Sequence, residues 1–297
     1  MATSTLLTAV EQQHWLETVS AQVQPAITHT FAAGGPLGRT LKNFLHGTWL
    51  GHPLHPVLTD IPLGAWTTAL VLDGLEVATG RPAFGRGATT AIQVGLLGAV
   101  GAALTGVTDW QHTEQRARRV GLLHGLLNTV AAALYTTSLV QRQRQQRAAG
   151  RCWAFLGFVV ATGAAYLGGD LVYGERIGVD HAVRDTGPAT FTPVLAAHEL
   201  AEGQMRQVEV DGTPILLARH HGQVYALGGT CAHLGGPLAE GTLAEGTVCC
   251  PWHGSCFALA DGRVVDGPAT YPQPWFETRV QHGQIEIRVH RDRTSAC

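Results

Sequence analysis

The chain divides into two parts that differ in how apolar and polar positions are arranged. The first part contains four long apolar runs, at residues 57–79, 88–108, 120–140 and 152–173. Each run is close to the roughly 20 residues that an α-helix needs to cross a bilayer. Beyond residue 190 the apolar runs are short and alternate with polar residues, which is typical of β-strands. The pattern predicts a multidomain protein, with an all-α four-helix transmembrane bundle followed by a small all-β domain.

The alternative for the first part is a water-soluble four-helix bundle. Helices of such a bundle carry a charged face, but the run 88–108 contains no charged residue. Charged residues make up 14% of the chain, against about 25% in an ordinary soluble domain. The run 57–79 does contain Asp60, Asp73 and Glu76, which we expect to face the bundle interior. Membrane lipid is therefore the predicted surrounding of the bundle.

Domain boundaries follow from these changes in pattern. Residues 1–47 form a polar N-terminal segment with an amphipathic stretch at 6–23, and residues 48–173 form the membrane domain. A linker at 174–189 leads to the β-domain at 190–291, and residues 292–297 form a tail. Within the β-domain we expect strands at 207–210, 215–219, 224–226 and 284–289, and a hairpin around Asp261 and Gly262.

Charge and cysteine content bear on partners and location. With 20 basic and 22 acidic residues, the chain shows no sign of a nucleic-acid partner. The six cysteines have no disulfide-framework spacing, which favours a reducing compartment. No cleavable signal peptide is predicted in residues 1–30. Basic residues near the spans are almost equal in number on the two sides of the membrane, so the cysteine content decides the predicted orientation. We predict a multi-pass protein of the inner (cytoplasmic) membrane, if bacterial, with its termini and β-domain in the cytoplasm.

Two short segments of the β-domain are rich in metal-ligating residues. They are Cys231-x-His233 and Cys250-x-x-His253. Two thiolates and two imidazoles would by residue type alone also suit zinc. Because each segment supplies one Cys and one His, the set fits a cluster in which two cysteines hold one iron and two histidines hold the other.

Two further cysteines lie beside the second segment. Cys249 and Cys256 are alternative ligands by residue type, but the C-x-x-H spacing favours Cys250. We expect Cys249 and Cys256 to be free buried thiols.

Residues 190–291 resemble a Rieske ferredoxin domain, with E-L-A-E-G early, then V-Y-A-L, the two metal-ligating segments and a final strand. The resemblance implies a [2Fe–2S] cluster. It places Cys231 and Cys250 on the inner iron, and His233 and His253 on the outer, solvent-facing iron. It also implies that the following residues shape the loops, whose backbone N–H groups donate hydrogen bonds to the sulfurs: Gly235, Gly236, Pro237, Pro251, Gly254 and Ser255.

Two departures from the high-potential Rieske branch concern the environment of the cluster. That branch joins its two loops by a disulfide at positions that correspond to Gly236 and Trp252 here. It also has a tyrosine where this chain has Phe257, while Ser255 retains the serine. With fewer hydrogen bonds to its sulfurs, the reduced cluster is less stable relative to the oxidised one. We therefore predict a reduction potential near the low end of the Rieske range of about −150 to +300 mV.

Histidines in the membrane part are concentrated on the side that carries the termini. They are His46, His52, His55, His112 and His124. A pair of them could ligate a b-type haem or another metal. His55 with His124 is the preferred pair and His52 is the spare ligand. The alternative is a structural role, in which they hydrogen-bond to water, lipid headgroups or a carboxylate.

The motifs G-H-P-L-H-P, T-D-I-P-L-G-A-W and G-L-L-H-G-L-L-N resemble an uncharacterised four-helix membrane family that is often fused to Rieske domains. That family covers residues 48–173 and brings no known activity. The resemblance therefore supports the predicted topology more than a mechanism.

Together these features predict a membrane-anchored Rieske electron-transfer protein. It would pass single electrons between a redox protein partner and a donor or acceptor on the membrane side, such as haem or quinone. An electron-transfer component is favoured over a complete enzyme. Two alternatives stay open, a component of a membrane oxygenase or reductase acting on a lipid-soluble substrate, and a redox sensor. The C-terminal mononuclear-iron domain of Rieske oxygenases is not expected after His253.

Overall fold

The computed structural model describes residues 13–184 and 186–290. These residues form two compact units. One unit comprises the chain up to Leu45 together with Pro53–Ile177, and the other comprises His46–His52 and the residues from Gly178 onward. Part of the predicted amphipathic stretch, residues 6–12, and the tail at 292–297 lie outside the described residues.

The first unit is helical. In the part of the chain that the structure describes, its helices are α1 (His14–Ala33), α2 (Gly35–His46), α3 (Leu54–Thr79), α4 (Pro82–Trp110), α5 (Gln115–Gln143) and α6 (Arg147–Tyr173). Helices α3 to α6 are each long and apolar enough to cross a membrane, and the four predicted spans lie inside them. The predicted four-helix transmembrane class is confirmed.

The four long helices close a ring. Helix α3 packs along α4 and helix α5 along α6, while α4 also contacts α5 and α3 contacts α6. Helices α3 and α5 are therefore diagonally opposite. The buried centre of this ring includes Trp66 and Tyr135, whose rings stack with centroids 4.3 Å apart. Side chains such as Leu97 and Val159 are exposed on the outer surface, as expected for a face turned to lipid.

Charged residues of α3 behave in two ways. Asp73 is buried and forms an ion pair with Arg142 of α5. Glu76 is also buried and pairs with Arg147 and Arg151 of α6. Both carboxylates face the bundle interior, as predicted, because only there does a basic partner offset the loss of water.

The prediction that Asp60 faces the bundle interior is wrong. Asp60 is exposed on the helix surface. It lies near the start of α3, where the chain is close to the end of the bundle and a carboxylate need not enter the core.

The second unit is built from antiparallel strands. The described strands are β1 (Thr192–Ala196), β2 (Met205–Val210), β3 (Thr213–His220), β4 (Gln223–Gly228), β5 (Thr242–Ala244), β6 (Thr247–Cys249), β7 (Cys256–Ala258), β8 (Val264–Asp266), β9 (Trp275–Gln281) and β10 (Gln284–Val289). One sheet has the order β1-β10-β9-β4-β3-β2 and the other the order β5-β6-β7-β8. The predicted small all-β domain is confirmed.

Tight turns with a glycine set the register of the larger sheet. Asp211 and Gly212 connect β2 to β3, and both have positive φ, 50° and 75°. Mirror-image turns of this kind match the twist of the strands they join. With this register, Leu216 and Leu227 face each other across β3 and β4 in the core.

Candidate metal centre

The first cluster loop follows β4. Its Cys231 N–H donates to the Gly236 carbonyl at 2.8 Å, and the Gly235 N–H donates to the Cys231 carbonyl at 2.9 Å. Gly235 has a φ of 79°, a left-handed conformation that glycine adopts at little cost. These bonds fold the loop back on itself, with the Cys231 side chain in the core.

The second cluster loop, between β6 and β7, has the same backbone arrangement. The Cys250 N–H donates to the Ser255 carbonyl at 2.8 Å, and the Gly254 N–H donates to the Cys250 carbonyl at 3.2 Å. Gly254 has a φ of 73°. Each loop therefore begins with a cysteine and turns at a left-handed glycine four positions later. The predicted loop residue Pro251 is exposed in this turn.

The two loops bring one thiol from each together in the core. Cys231 hydrogen-bonds to Cys250, and both are buried and free of disulfides. This bond from Cys231 lowers the pKa of Cys250 to about 6, although burial opposes the shift. The same bond, together with burial, raises the pKa of Cys231. A pair of thiols in contact is the donor set that one iron of the cluster requires.

Backbone N–H groups surround both sulfurs. The amides of His233 and Leu234 hydrogen-bond to the Cys231 sulfur. The amides of Trp252 and His253 hydrogen-bond to the Cys250 sulfur. Amides in these positions favour the thiolate, which is the form that binds metal.

The two histidines face each other at a distance that suits one metal ion. The ring centroids of His233 and His253 are 5.1 Å apart and the ring planes meet at 85°. A histidine nitrogen binds a metal at about 2.0–2.1 Å, which places the ring centroid about 3.2 Å from the metal. Two such rings at a tetrahedral angle have centroids about 5.2 Å apart. The observed separation therefore fits two ligands of a single tetrahedral iron.

Burial and neighbouring histidines keep His233 neutral. Burial is the main cause that holds the pKa of His233 well below its usual value, and the charges of His253, His46 and His181 lower it further. Only a neutral imidazole has a lone pair for a metal. The His233 side chain is thus in the protonation state that ligation requires.

The space between the loops is shaped for a group that touches sulfur. A Cβ on Gly236 would lie 2.7 Å from the Cys250 sulfur, so only glycine fits there. The buried Ser255 Oγ accepts a hydrogen bond from the Ala269 N–H at 3.0 Å. Its own hydroxyl proton can then be donated to a cluster sulfur. These residues fit a [2Fe–2S] cluster.

One important residue was missed by the sequence reasoning. Gln273 is 2% exposed, and its Oε1 accepts from the Ala232 N–H at 3.1 Å. Its Nε2 donates to the Gly228 and Thr230 carbonyls at 2.8 and 2.6 Å. Gln273 therefore fixes the first cluster loop from both sides. Its position between two prolines in P-Q-P gives no signal of burial in the sequence.

The prediction that Cys249 and Cys256 are free thiols is wrong. They are paired across β6 and β7 and joined by a disulfide. The antiparallel register places the two residues directly opposite each other, at the base of the second cluster loop. The disulfide also removes both residues as alternative ligands. Since disulfides persist mainly in oxidising compartments, the cysteines give no support to a cytoplasmic β-domain.

Peptide mapping without reductant is expected to recover Cys249 and Cys256 as one linked pair. In the chain-entropy description, closing a loop with a sequence separation of 7 stabilises the folded state by about 2.5 kcal/mol. We expect the double variant Cys249→Ser, Cys256→Ser to lower the free energy of unfolding of the β-domain by about that amount, measured by denaturant titration of its circular dichroism. Cys152→Ser, which changes an exposed free thiol, is the control. Two additional alkylatable thiols in unreduced protein would contradict the linkage.

The membrane histidines separate into two groups. His55 and His124 lie on α3 and α5, with ring centroids 6.4 Å apart. The structure therefore brings the preferred pair together. The spare ligand His52 is exposed and belongs to the compact unit that contains the β-domain.

The fold and the paired Cys–His loops define a small antiparallel β-domain of the iron–sulfur class. Comparison with known families gives a match to "Rieske [2Fe-2S] domain" over residues 190–280. The chain belongs to the Rieske [2Fe–2S] family through this domain. Residues 51–186 match a second family, described as "Predicted membrane protein (DUF2231)". Both predicted resemblances are confirmed.

Individual relatives match about a third of the chain. Ferredoxin CarAc from Metapseudomonas resinovorans is 35% identical over 95 residues, which are 32% of this chain and 89% of that protein. Apoptosis-inducing factor 3 from Homo sapiens is 32% identical over 117 residues, 39% of this chain. The chain spans only 19% of the length of that relative and 16% of its Mus musculus counterpart.

A solved structure with a similar domain is titled "Complex of reduced oxygenase and oxidized ferredoxin in carbazole 1,9a-dioxygenase". Its matching chain is 31% identical, covering 35% of this chain and 99% of that chain with a TM-score of 0.34.

Proposed function

We propose that this protein is a membrane-anchored electron carrier, whose Rieske cluster passes single electrons between a redox protein and a membrane-side donor or acceptor. The observation that carries the proposal is the pairing of the two cluster loops. One thiol and one imidazole from each loop meet their counterparts, and the chain also supplies four candidate membrane spans. A [2Fe–2S] cluster supplies one-electron chemistry when bound.

The proposed ligands are Cys231 and Cys250 for one iron, and His233 and His253 for the other. Support comes from the contact between the two thiols and from the 5.1 Å separation of the two rings. The residues around them exclude water from the sulfurs, since Phe257 is fully buried beside both cysteines. A low dielectric around the cluster raises the cost of the extra negative charge on reduction.

The edge proposed for electron exchange is the second loop. Trp252 is 56% exposed, and its ring centroid lies 6.4 Å from that of His253. His233, on the first loop, has an additional neighbour. The His46–His52 segment belongs to the same compact unit, and His46 interacts electrostatically with His233. The part of the site nearest His253 is therefore the more open one. An exposed aromatic residue beside a ligand offers a contact for a redox partner.

The redox partner is proposed to be a protein. Several relatives of the β-domain are ferredoxin components, among them the ferredoxin subunit of a 3-phenylpropionate/cinnamic acid dioxygenase, 35% identical with 94% of its length covered. Their names pair a ferredoxin with an oxygenase system. By analogy, an oxidoreductase that docks at the Trp252 edge would give or take the electron here, while haem or quinone would serve on the membrane side.

A redox titration of the full-length protein in detergent tests this function. We expect a single reversible one-electron transition with a midpoint well below about +200 mV. The reason is that Phe257 lacks a hydroxyl and that no cystine joins the two cluster loops, so fewer groups stabilise the reduced cluster. The measurement is the rhombic electron paramagnetic resonance (EPR) signal against applied potential.

Phe257→Tyr is the matched variant for this titration. An added hydroxyl near the cluster is expected to raise the midpoint, while Phe155→Tyr on the exposed surface of α6 leaves it unchanged. A wild-type midpoint above about +200 mV would contradict the low-potential prediction. Absence of any one-electron transition would contradict the proposed function itself.

A further inference from the structure

The two membrane histidines are held in equivalent ways. His55 Nδ1 lies 2.9 Å from the Ala102 carbonyl of α4, and His124 Nδ1 lies 2.8 Å from the Ala164 carbonyl of α6. A carbonyl only accepts, so each Nδ1 carries the proton and each Nε2 keeps its lone pair. Nε2 is then the nitrogen of each ring that remains available to a metal. Metal-ligating histidines are typically fixed in this way.

The separation of the two rings selects one geometry of ligation. Their centroids are 6.4 Å apart with the ring planes at 84°. With a centroid about 3.2 Å from a bound metal, two rings on opposite sides of one metal have centroids about 6.4 Å apart. Two rings at a tetrahedral angle would be about 5.2 Å apart, as in the β-domain. The membrane pair therefore matches trans ligands, the arrangement of the two axial positions of a haem iron.

Small residues complete both anchors. A Cβ on Gly106 would lie 2.8 Å from Cε1 of His55, and a Cβ on Gly168 would lie 3.0 Å from Cε1 of His124. Each glycine follows the anchoring carbonyl by one helical turn, on α4 and α6. Both imidazoles are thus pressed against helix backbone by equivalent contacts.

The same equivalence extends along the bundle. Asp73 and Arg142 are separated by 69 residues and form an ion pair. His55 and His124 share this spacing of 69, as do the stacked rings of Trp66 and Tyr135. Helices α3–α4 and α5–α6 therefore form two similar hairpins related by an approximate two-fold axis that runs between the histidines. A haem iron with one axial ligand from each hairpin would lie on that axis.

Buried positions between the histidine pair and the aromatic pair are mostly small. The aromatic pair lies about 16 Å along the helices from the histidine pair, at 1.5 Å per residue. Most of the buried positions between these two levels are small: Pro62, Gly95, Ala102, Ala131, Gly157, Ala161 and Ala164, with Thr105 and Leu167. Small side chains let a flat macrocycle approach the helix backbones, as cofactor sites in bundle cores require.

We propose that His55 and His124 are the axial ligands of one b-type haem. Asn128 Nδ2 donates to His124 Nε2 at 3.2 Å and to the His124 carbonyl at 3.0 Å. On haem binding the first bond is replaced by the bond to iron and the second can persist. The haem would be the membrane-side one-electron partner named above, and only to that extent does this site rest on the proposed function.

The test is the haem content of full-length protein expressed with haem supply and purified in detergent. We expect a Soret band and one haem per chain by the pyridine haemochrome assay, with a low-spin EPR signal from two imidazole ligands. His55→Ala and His124→Ala should each abolish the Soret band. His29→Ala, which changes an exposed histidine of α1, is the matched control and should leave haem content unchanged.

Folding and the cluster are followed in the same samples. Helical circular dichroism and the Rieske EPR signal should persist in both ligand variants, so that loss of haem is not loss of fold. Wild-type protein without a Soret band, a metal bound to the pair without porphyrin, or haem retained in either variant would overturn the haem site. Each of these results would leave the Rieske function standing, because the cluster signal is measured separately.

Discussion

Replacing His233 by alanine in the full-length protein is expected to abolish the rhombic Rieske EPR signal and the visible bands of the cluster. His233 and His253 are the two imidazoles whose 5.1 Å separation fits one iron. Without it that iron has an open coordination position, which water or buffer can attack. Iron and sulfide analysis should show two of each per chain in wild-type protein, and loss of most of both in the variant.

His198→Ala is the control for this experiment, because His198 is an exposed histidine of the same β-domain. It should retain the full signal. The helical circular dichroism of the membrane unit should be unchanged in both variants. A His233→Ala protein with a wild-type rhombic signal would show that the ligand assignment is wrong. Zinc in place of iron in wild-type protein would favour the other metal that this residue set suits.

Replacing Arg142 by alanine is expected to destabilise the membrane unit by about 3–5 kcal/mol. The side chains of Arg142 and Asp73 are only 5% and 7% exposed and pair with each other. Arg142 also donates to Ser138 Oγ at 3.1 Å. Its removal leaves the Asp73 carboxylate buried in an apolar bundle without its cation, which is more costly than the loss of the contact itself. Reversible unfolding in mixed detergent micelles measures the free energy.

A double variant separates the cost of a buried charge from the value of the pair. Asp73→Leu with Arg142→Leu removes both charges and keeps apolar volume, so we expect stability within about 1–2 kcal/mol of wild type. Arg144→Ala, at an exposed position two residues away, should have little effect. If the single and double variants were equally unstable, the large cost would not come from an unpaired carboxylate.

The general architecture could be predicted from the sequence because it depends on local properties. Length and apolarity are enough to define a span, and a strand is revealed by alternation next to turn residues such as Asp211-Gly212. Strands β1, β5, β6 and β9 were missed. Of these, β5 and β6 have only three residues each and carry too little alternation to stand out. The location of Asp60 also depended on the packing of α3, which no local pattern shows.

The candidate metal centre was likewise predictable only in its local features. The ligand types and their spacing were visible in the sequence, because Cys-x-His and Cys-x-x-His have a distinct chemical meaning. The Cys249–Cys256 disulfide was not, since it arises from the register between two short strands. Gln273 was also hidden, because its three hydrogen bonds join segments more than 40 residues apart. Contacts of this kind depend on tertiary structure rather than on local composition.

The ion pair between Asp73 and Arg142 has a consequence for how such a bundle could arise. In a symmetric dimer of one helical hairpin, residues that meet on the axis would be identical. Two copies could thus supply two histidines or two stacked aromatic rings, but they would place like charges at the level of Asp73 and Arg142. An attractive pair at that level needs two hairpins whose sequences differ. Covalent fusion of the hairpins in one chain allows this divergence and makes the order of association unambiguous.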